Sequence, residues 1–242
     1  MYRAAVDARG AEWVATGLRG FGESVLSLVP ACWSEYVRVF HPAYRGAGSD
    51  RVGVAWADIA GANGTRMHAG AQLGALTGSE RYEWEGQPGV FDRPPETGSL
   101  PRELLDPLTD LLAAHTSTPG ACYFAVWDGA GWLPPEVRAA PRFSVPQRTH
   151  HLLTGPVEAV RELADALQGS PLGAPRSPNV WWPQDHAWCV ATEVDLKTTY
   201  IGAESSCAKE LISLSGVEAA AVPPDLGVDW LSDTVNPRPT ST

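Results

Sequence analysis

The pattern of apolar and polar positions changes along the chain and is clearest in the second half. Residues 1–20 have no firm period and are broken by Gly10, Gly17 and Gly20, so they read as a weakly ordered or short helical lead. Residues 23–29 predict a short helix, ended by Pro30. The run EYVRVFH at 35–41 is β-branched and aromatic, which predicts a strand. Its period of two puts Val37, Val39 and His41 on one face and Tyr36, Arg38 and Phe40 on the other. Pro42 ends it, because the residue before a proline is held extended and proline has no N–H for a ladder. Residues 51–59 predict a second strand, with Val52, Val54, Trp56 and Asp58 on one face, and residues 67–76 a helix. Residues 77–98 are polar, hold Pro88, Pro94 and Pro95, and read as a lid, a binding loop or a disordered insert.

Asp106-Pro107 marks an expected helix start, an acidic N-cap followed by proline at the first helical position. Leu108, Leu111, Leu112 and His115 follow at the spacing of one helix face. The run ACYFAVW at 121–127 is apolar on both faces and predicts a buried strand. After a proline-punctuated stretch at 134–146 the elements sharpen. A strand at 148–153 is followed by a helix opened by Pro156, with Val157, Val160, Leu163, Ala164 and Leu167 as its buried stripe and Gly169 as its end. A loop with Pro171, Pro175 and Pro178 leads to strands at 187–196 and 198–201, a helix at 204–214 and a strand at 217–222. The order β-α-β-β-α-β predicts a ferredoxin-like, split βαβ arrangement for this half. The expected class is α+β, with mixed or antiparallel sheets and helices on one face. The expected divisions are an N-terminal α+β region at 1–146, a C-terminal α+β region at 147–235 and a flexible tail at 236–242. Within 223–242, Trp230-Leu231 is the expected anchor.

Charge narrows the classes of function. The 242 residues carry 18 Lys and Arg against 28 Asp and Glu, a formal charge of −10. Lys197 and Lys209 are the only lysines, and the basic residues are scattered without a run of three. Counterion release needs clustered cations, so nucleic acid and anionic membranes are not the expected partners. The first residues lack the apolar stretch of a signal peptide, and no run approaches the roughly 20 apolar residues that span a bilayer. Cys32, Cys122, Cys189 and Cys207 are too far apart for a Cys-x-x-Cys metal or redox unit. These features predict a cytoplasmic protein with reduced thiols.

No motif names a reaction. The sequence has no nucleophile elbow, no His-Glu-x-x-His, no phosphate loop and no complete dinucleotide fingerprint. His150 and His151 are adjacent on a predicted strand and point to opposite faces, which does not suit one metal ion. Neither a metal nor a cofactor is expected. His41, at a strand end, is a pocket candidate. The densest chemistry lies in 177–195, where Trp181, Trp182 and Trp188 flank Asp185 and His186, and Glu193 and Asp195 follow two residues apart. Such a carboxylate pair suits acid/base work or a divalent cation, or marks a sheet end reaching solvent. Indoles either fill a core or stack on ligands at a rim. The expected binding residues are therefore Trp181, Trp182, Asp185, His186, Trp188, Glu193 and Asp195. The expected function is a non-catalytic binding protein for a small molecule or a protein partner, regulatory or immunity-like, with homo-oligomers open. The alternative is a small hydrolase or transferase using the acids and histidine of the same half.

The run SPNVWWPQDHAWCVATEVDLKTTYIGA, with HLLTGP upstream, resembles stretches of uncharacterised cytosolic proteins of actinobacteria. The resemblance covers roughly the last 90 residues. It implies a soluble bacterial protein and assigns no catalytic residue.

Overall fold

Alternating apolar residues in the strand-forming segments build a sheet that is buried on both faces. The structure, a computed structural model, describes residues 1–168 and 176–241. Its strands are β1 (Arg3–Ala4), β2 (Glu35–Phe40), β3 (Ala43–Arg45), β4 (Val52–Val54), β5 (Cys122–Trp127), β6 (Arg142–Val145), β7 (Arg148–Gly155), β8 (Val180–Pro183), β9 (Trp188–Ala191), β10 (Thr198–Ala203) and β11 (Ala219–Val222). Nine of them form one antiparallel sheet in the order β1-β7-β5-β8-β9-β10-β2-β11, with β6 also paired to β7. β3 and β4 make a separate hairpin. The helices are α1 (Glu12–Gly17), α2 (Trp56–Asn63), α3 (Leu73–Thr77), α4 (Arg102–Ala114), α5 (Pro135–Arg138), α6 (Ala159–Leu167) and α7 (Ser205–Ile212).

The central strands send alternate residues into two different cores. Val37, Val39, Phe124, Val126, Trp181, Trp188, Val190 and Ile201 pack under α4, α6 and α7. Tyr36, Ala125, Leu152, Val180, Trp182, Cys189 and Tyr200 pack on the opposite face, under α1 and the segment holding Val25 and Leu28. A third cluster, around Trp56, Ile59, Leu73, Leu76 and Phe91, joins α2 and α3 to the end of β2. Burying one such large side chain contributes about 1.5–3 kcal/mol. The expected stripe of α6 is the buried face observed: Val157, Val160, Leu163, Ala164 and Leu167 are all in the core.

The α+β class holds, but the connectivity differs from a ferredoxin-like half. β7 and β8 flank β5 and are joined through α6, while β10 and β11 flank β2 and are joined through α7. Since all neighbours are antiparallel, each pair is parallel, and each is a split βαβ crossover. The inserted strands come from residues 35–40 and 122–127, so strands from both sides of position 146 interleave in one sheet. β8 is also an additional strand, formed ahead of the one expected at 187–196.

Several local expectations change for physical reasons. Residues 51–59 are not one strand, because α2 starts at Trp56. The Glu218 carboxylate accepts from the backbone N–H of Trp56 at 2.6 Å and Ala57 at 2.9 Å, supplying a cap that Ala55 cannot. α4 starts at Arg102, not Asp106, and keeps Pro107 inside it. Asp106 instead receives Arg102 and Arg161, fastening α4 to α6. Residues 77–98 are tied down rather than loose: Phe91 is buried, and Tyr44 and Arg93 exchange backbone hydrogen bonds of 2.9 and 3.1 Å. The C-terminal segment is anchored by Val228 and Asp233, and Thr240 pairs with Gly78, while Trp230 is 52% exposed. Gly169, Pro171 and Pro175 lie outside the described residues.

Candidate functional site

The three tryptophans of the 177–195 segment fill the interior. Trp181 and Trp188 meet edge to face, centroids 5.0 Å apart, under the helices, and the Trp188 Nε1 donates to the Leu112 carbonyl at 2.9 Å. Period two turns Trp182 the other way, against Trp13 and Tyr123. All three are essentially without exposure, and the Trp182 Nε1 has no hydrogen-bond partner among the described residues.

Asp185 and His186 form the turn between β8 and β9, and both are exposed. The Asp185 carboxylate accepts from the Thr116 hydroxyl, the Ser117 hydroxyl and the Ser117 N–H at 2.7–2.8 Å, and from the Ala187 N–H at 3.2 Å. Partial burial works against its charge, but these donors outweigh it and hold the group down at about 2. Asp185 thus ties the loop after α4 to the β8–β9 turn. The His186 ring stacks on Trp13. Burial pulls the imidazole below its ordinary range, and Asp185 opposes that pull.

Glu193 and Asp195 are brought together, on a partner the sequence did not suggest. β9 ends at Ala191, so both acids sit in the following turn. Arg148 donates from Nε to Glu193 and from Nη2 to Asp195, each at 2.8 Å. Its guanidinium also lies over Phe21 and Trp127. The pair is occupied as an ion-pair latch between β7 and the β9–β10 turn. Among the described residues, no three His, Cys, Asp or Glu side chains are placed to hold a metal ion.

A ligand-sized cleft lies elsewhere, between the β3–β4 hairpin, the first turn of α4 and the approach to β11. Its volume is about 670 Å³. Phe40, Pro42, Leu104 and Val217 supply apolar wall, and Tyr44, Arg51, Glu103 and Glu218 the polar groups. The Tyr44 hydroxyl donates to Glu103 Oε1 at 2.6 Å, and Arg51 reaches Glu103 Oε2 and Glu96 Oε1, both at 3.3 Å, while stacking 4.3 Å above the Tyr44 ring. Burial, followed by the bond to Glu103 and its charge, pushes the Tyr44 phenol well up. Burial also pushes the Glu218 carboxyl up, against the two α2 amides it caps.

His41 stands behind this cleft, fully buried. Its Nδ1 lies 2.9 Å from the Glu96 carbonyl, which can only accept, so Nδ1 carries the proton. Nε2 then accepts from the Thr199 hydroxyl at 2.9 Å, and Thr199 in turn accepts from Thr192 at 2.7 Å. Burial pulls His41 down to about 4. The sequence had pointed at this strand end through His41-Pro42, and Pro42 does line the cleft. It had no means of pointing at Arg51, Glu96 and Glu103, which lie in three separate segments and belong to no motif.

No known family model, curated protein or solved structure matches this chain. No helix among the described residues is long and apolar enough to cross a membrane.

Proposed function

We propose that the protein binds a small molecule in the cleft beside Tyr44 and Arg51 and performs no chemistry on it. The cleft has the size of ordinary ligand sites, roughly 300–1,000 Å³. The observation that carries the reading is the closed network Tyr44–Glu103–Arg51–Glu96. Each charged group there is already committed to another, which suits a preformed recognition surface and leaves no free base or nucleophile. Glu103 and Glu218 outnumber Arg51 along the walls, and Arg51 is neutralised by Glu96 and Glu103. The preferred ligand is therefore a neutral or singly cationic molecule with an apolar portion for Phe40, Leu104 and Val217. Four unpaired cysteines, three of them buried, suit a reducing compartment such as the cytoplasm.

A fragment screen by crystallography or ligand-observed NMR tests this. Neutral and amine-bearing aromatic fragments should occupy the cleft, and Ala55→Trp, which places an indole at its wall, should remove them while leaving the melting temperature nearly unchanged. Fragment binding that ignores Ala55→Trp, or that favours carboxylates in this cleft, would refute the reading.

A further inference from the structure

Arg38 lies in the middle of β2, on the face opposite α4, α6 and α7, and its side chain is fully buried. A guanidinium does not lose its proton in a protein, so a full charge is carried into the interior. Buried charges are ordinarily paired. Among the described residues, no carboxylate bonds to this one. Nη1 donates to the Ala69 carbonyl at 3.0 Å, Nη2 has a long 3.4 Å contact with Gln72 Oε1, and Nε has no partner. Around the guanidinium stand the rings of Phe40, Trp56 and Tyr200, 4.7, 5.6 and 5.8 Å from its carbon. The Tyr200 hydroxyl is also buried and has no hydrogen-bond partner among the described residues.

Arg38 lines a cavity of about 50 Å³, together with Trp56, Gln72, Lys197 and Trp230. The other charges along it are spoken for. Lys197 is 2.9 Å from Glu83, and Asp195 is held by Arg148. Of the charges along the lining Arg38 is the one without an ion-pair partner among the described residues, the Asp233 carboxylate acting on it only from a distance. The volume is several times the roughly 10–15 Å³ that one water needs, enough for a carboxylate-sized group and little more. Anything attached to such a group must lie outside, where two indoles are exposed: Trp230, which lines the cavity, and Trp84, which covers Lys197 at 4.5 Å.

We propose that this cavity is a second ligand site, in which Arg38 receives the carboxylate of a small organic acid whose apolar part lies on Trp230 and Trp84. The Nε and Nη2 edge, bare at one nitrogen and weakly engaged at the other, is the edge a carboxylate takes side-on and bidentate. The site has the opposite polarity to the cleft at Arg51 and stands whether or not that cleft binds anything.

Titration calorimetry on the full chain, at constant ionic strength, would use phenylacetate, phenylacetamide, acetate and inorganic phosphate. Phenylacetate should bind, and phenylacetamide, equal in shape but neutral, should bind at least about tenfold more weakly. Arg38→Met should abolish phenylacetate binding. Trp230→Ala should weaken phenylacetate several-fold and leave acetate unchanged. Where Arg38→Met does not fold, Lys197→Met, which leaves the Glu83 carboxylate unpaired at the lining, carries the charge test and should weaken phenylacetate. Equal binding of acid and amide, tighter binding of phosphate than of phenylacetate, no heat with phenylacetate, or indifference to both Lys197→Met and Trp230→Ala would overturn the proposal.

Discussion

The His186 imidazole lies on the Trp13 indole, centroids 4.2 Å apart and planes 22° from parallel. This contact joins the β8–β9 turn to α1, across 173 positions of sequence separation. Trp33 adds to it by donating from Nε1 to the His186 carbonyl at 3.2 Å. His186 holds a φ of +54°, a left-handed conformation uncommon outside glycine. His186→Ala should therefore cost about 1–2 kcal/mol, by losing the stack while keeping the strained backbone. His186→Gly loses the stack but relaxes the backbone and should cost less. Denaturant unfolding checks the order. A variant of unchanged stability that lost ligand binding would make this turn functional instead of structural.

Trp188 and Trp182 are both fully buried but differ in one hydrogen bond. The Trp188 indole N–H is used by Leu112, whereas that of Trp182 is orphaned. Replacing each by phenylalanine removes similar volume. Trp188→Phe also removes a hydrogen bond, leaving the Leu112 carbonyl with only the His115 N–H, while Trp182→Phe removes an unsatisfied donor. Trp188→Phe should be the more destabilising by about 1–3 kcal/mol, measured by urea denaturation.

Acid should weaken the fold through two buried histidines. Burial brings both His41 and His150 down to about 4, with nearby Arg148 adding to the effect at His150. The unfolded chain protonates such groups near 6.5. Between these values the unfolded state binds more protons, so stability is intact above pH 6.5 and falls as pH drops toward 4. The loss is at most about 3 kcal/mol for each histidine. Among the described residues the His150 Nδ1 has no hydrogen-bond partner, and its ring stacks on Phe143. His150→Phe should therefore keep the stability at neutral pH and reduce the acid limb by about half, as read from unfolding curves between pH 4 and 7.5. An unchanged acid limb would show that His150 is not one of the groups responsible.

Glu218 reaches across the structure to cap α2. Glu218→Ala should cost about 1–2 kcal/mol, and Glu218→Gln less, since the amide keeps one acceptor oxygen for the two N–H groups. Amide hydrogen exchange should show the loss first in the opening turn of α2. Uniform loss of protection across the sheet would place the role of Glu218 elsewhere.

How much of this was legible in the sequence depends on the range of the cause. The helices at 159–167 and 205–212 and the strands at 35–40, 122–127 and 198–203 are carried by apolar period within one segment, and they appear close to where the pattern placed them. The strand expected through Trp56 failed because its competitor, a helix cap, comes from a residue 162 positions away. The Trp-rich segment looked like a recess because indoles serve cores and rims alike. Composition does not separate the two uses, and alternation across β8 and β9 sent these rings inward. Asp185, Glu193 and Asp195 were recognisable as acids with work to do. Their partners, Ser117 and Arg148, lie 68 and at least 45 positions away and left no local trace.

By itself the amino-acid order determined the α+β class, the two-faced strands and the amphipathic stripes, because these follow from period and propensity over a few residues. Tertiary structure alone decided that β5 and β2 enter the two βαβ crossovers, that Tyr44, Arg51, Glu96 and Glu103 meet, and that Arg38 is buried with no carboxylate bonded to it among the described residues. Strand neighbours and charge partners are chosen by the packing of the whole sheet, where hydrogen bonds and Coulomb forces act through space between residues that the chain keeps far apart.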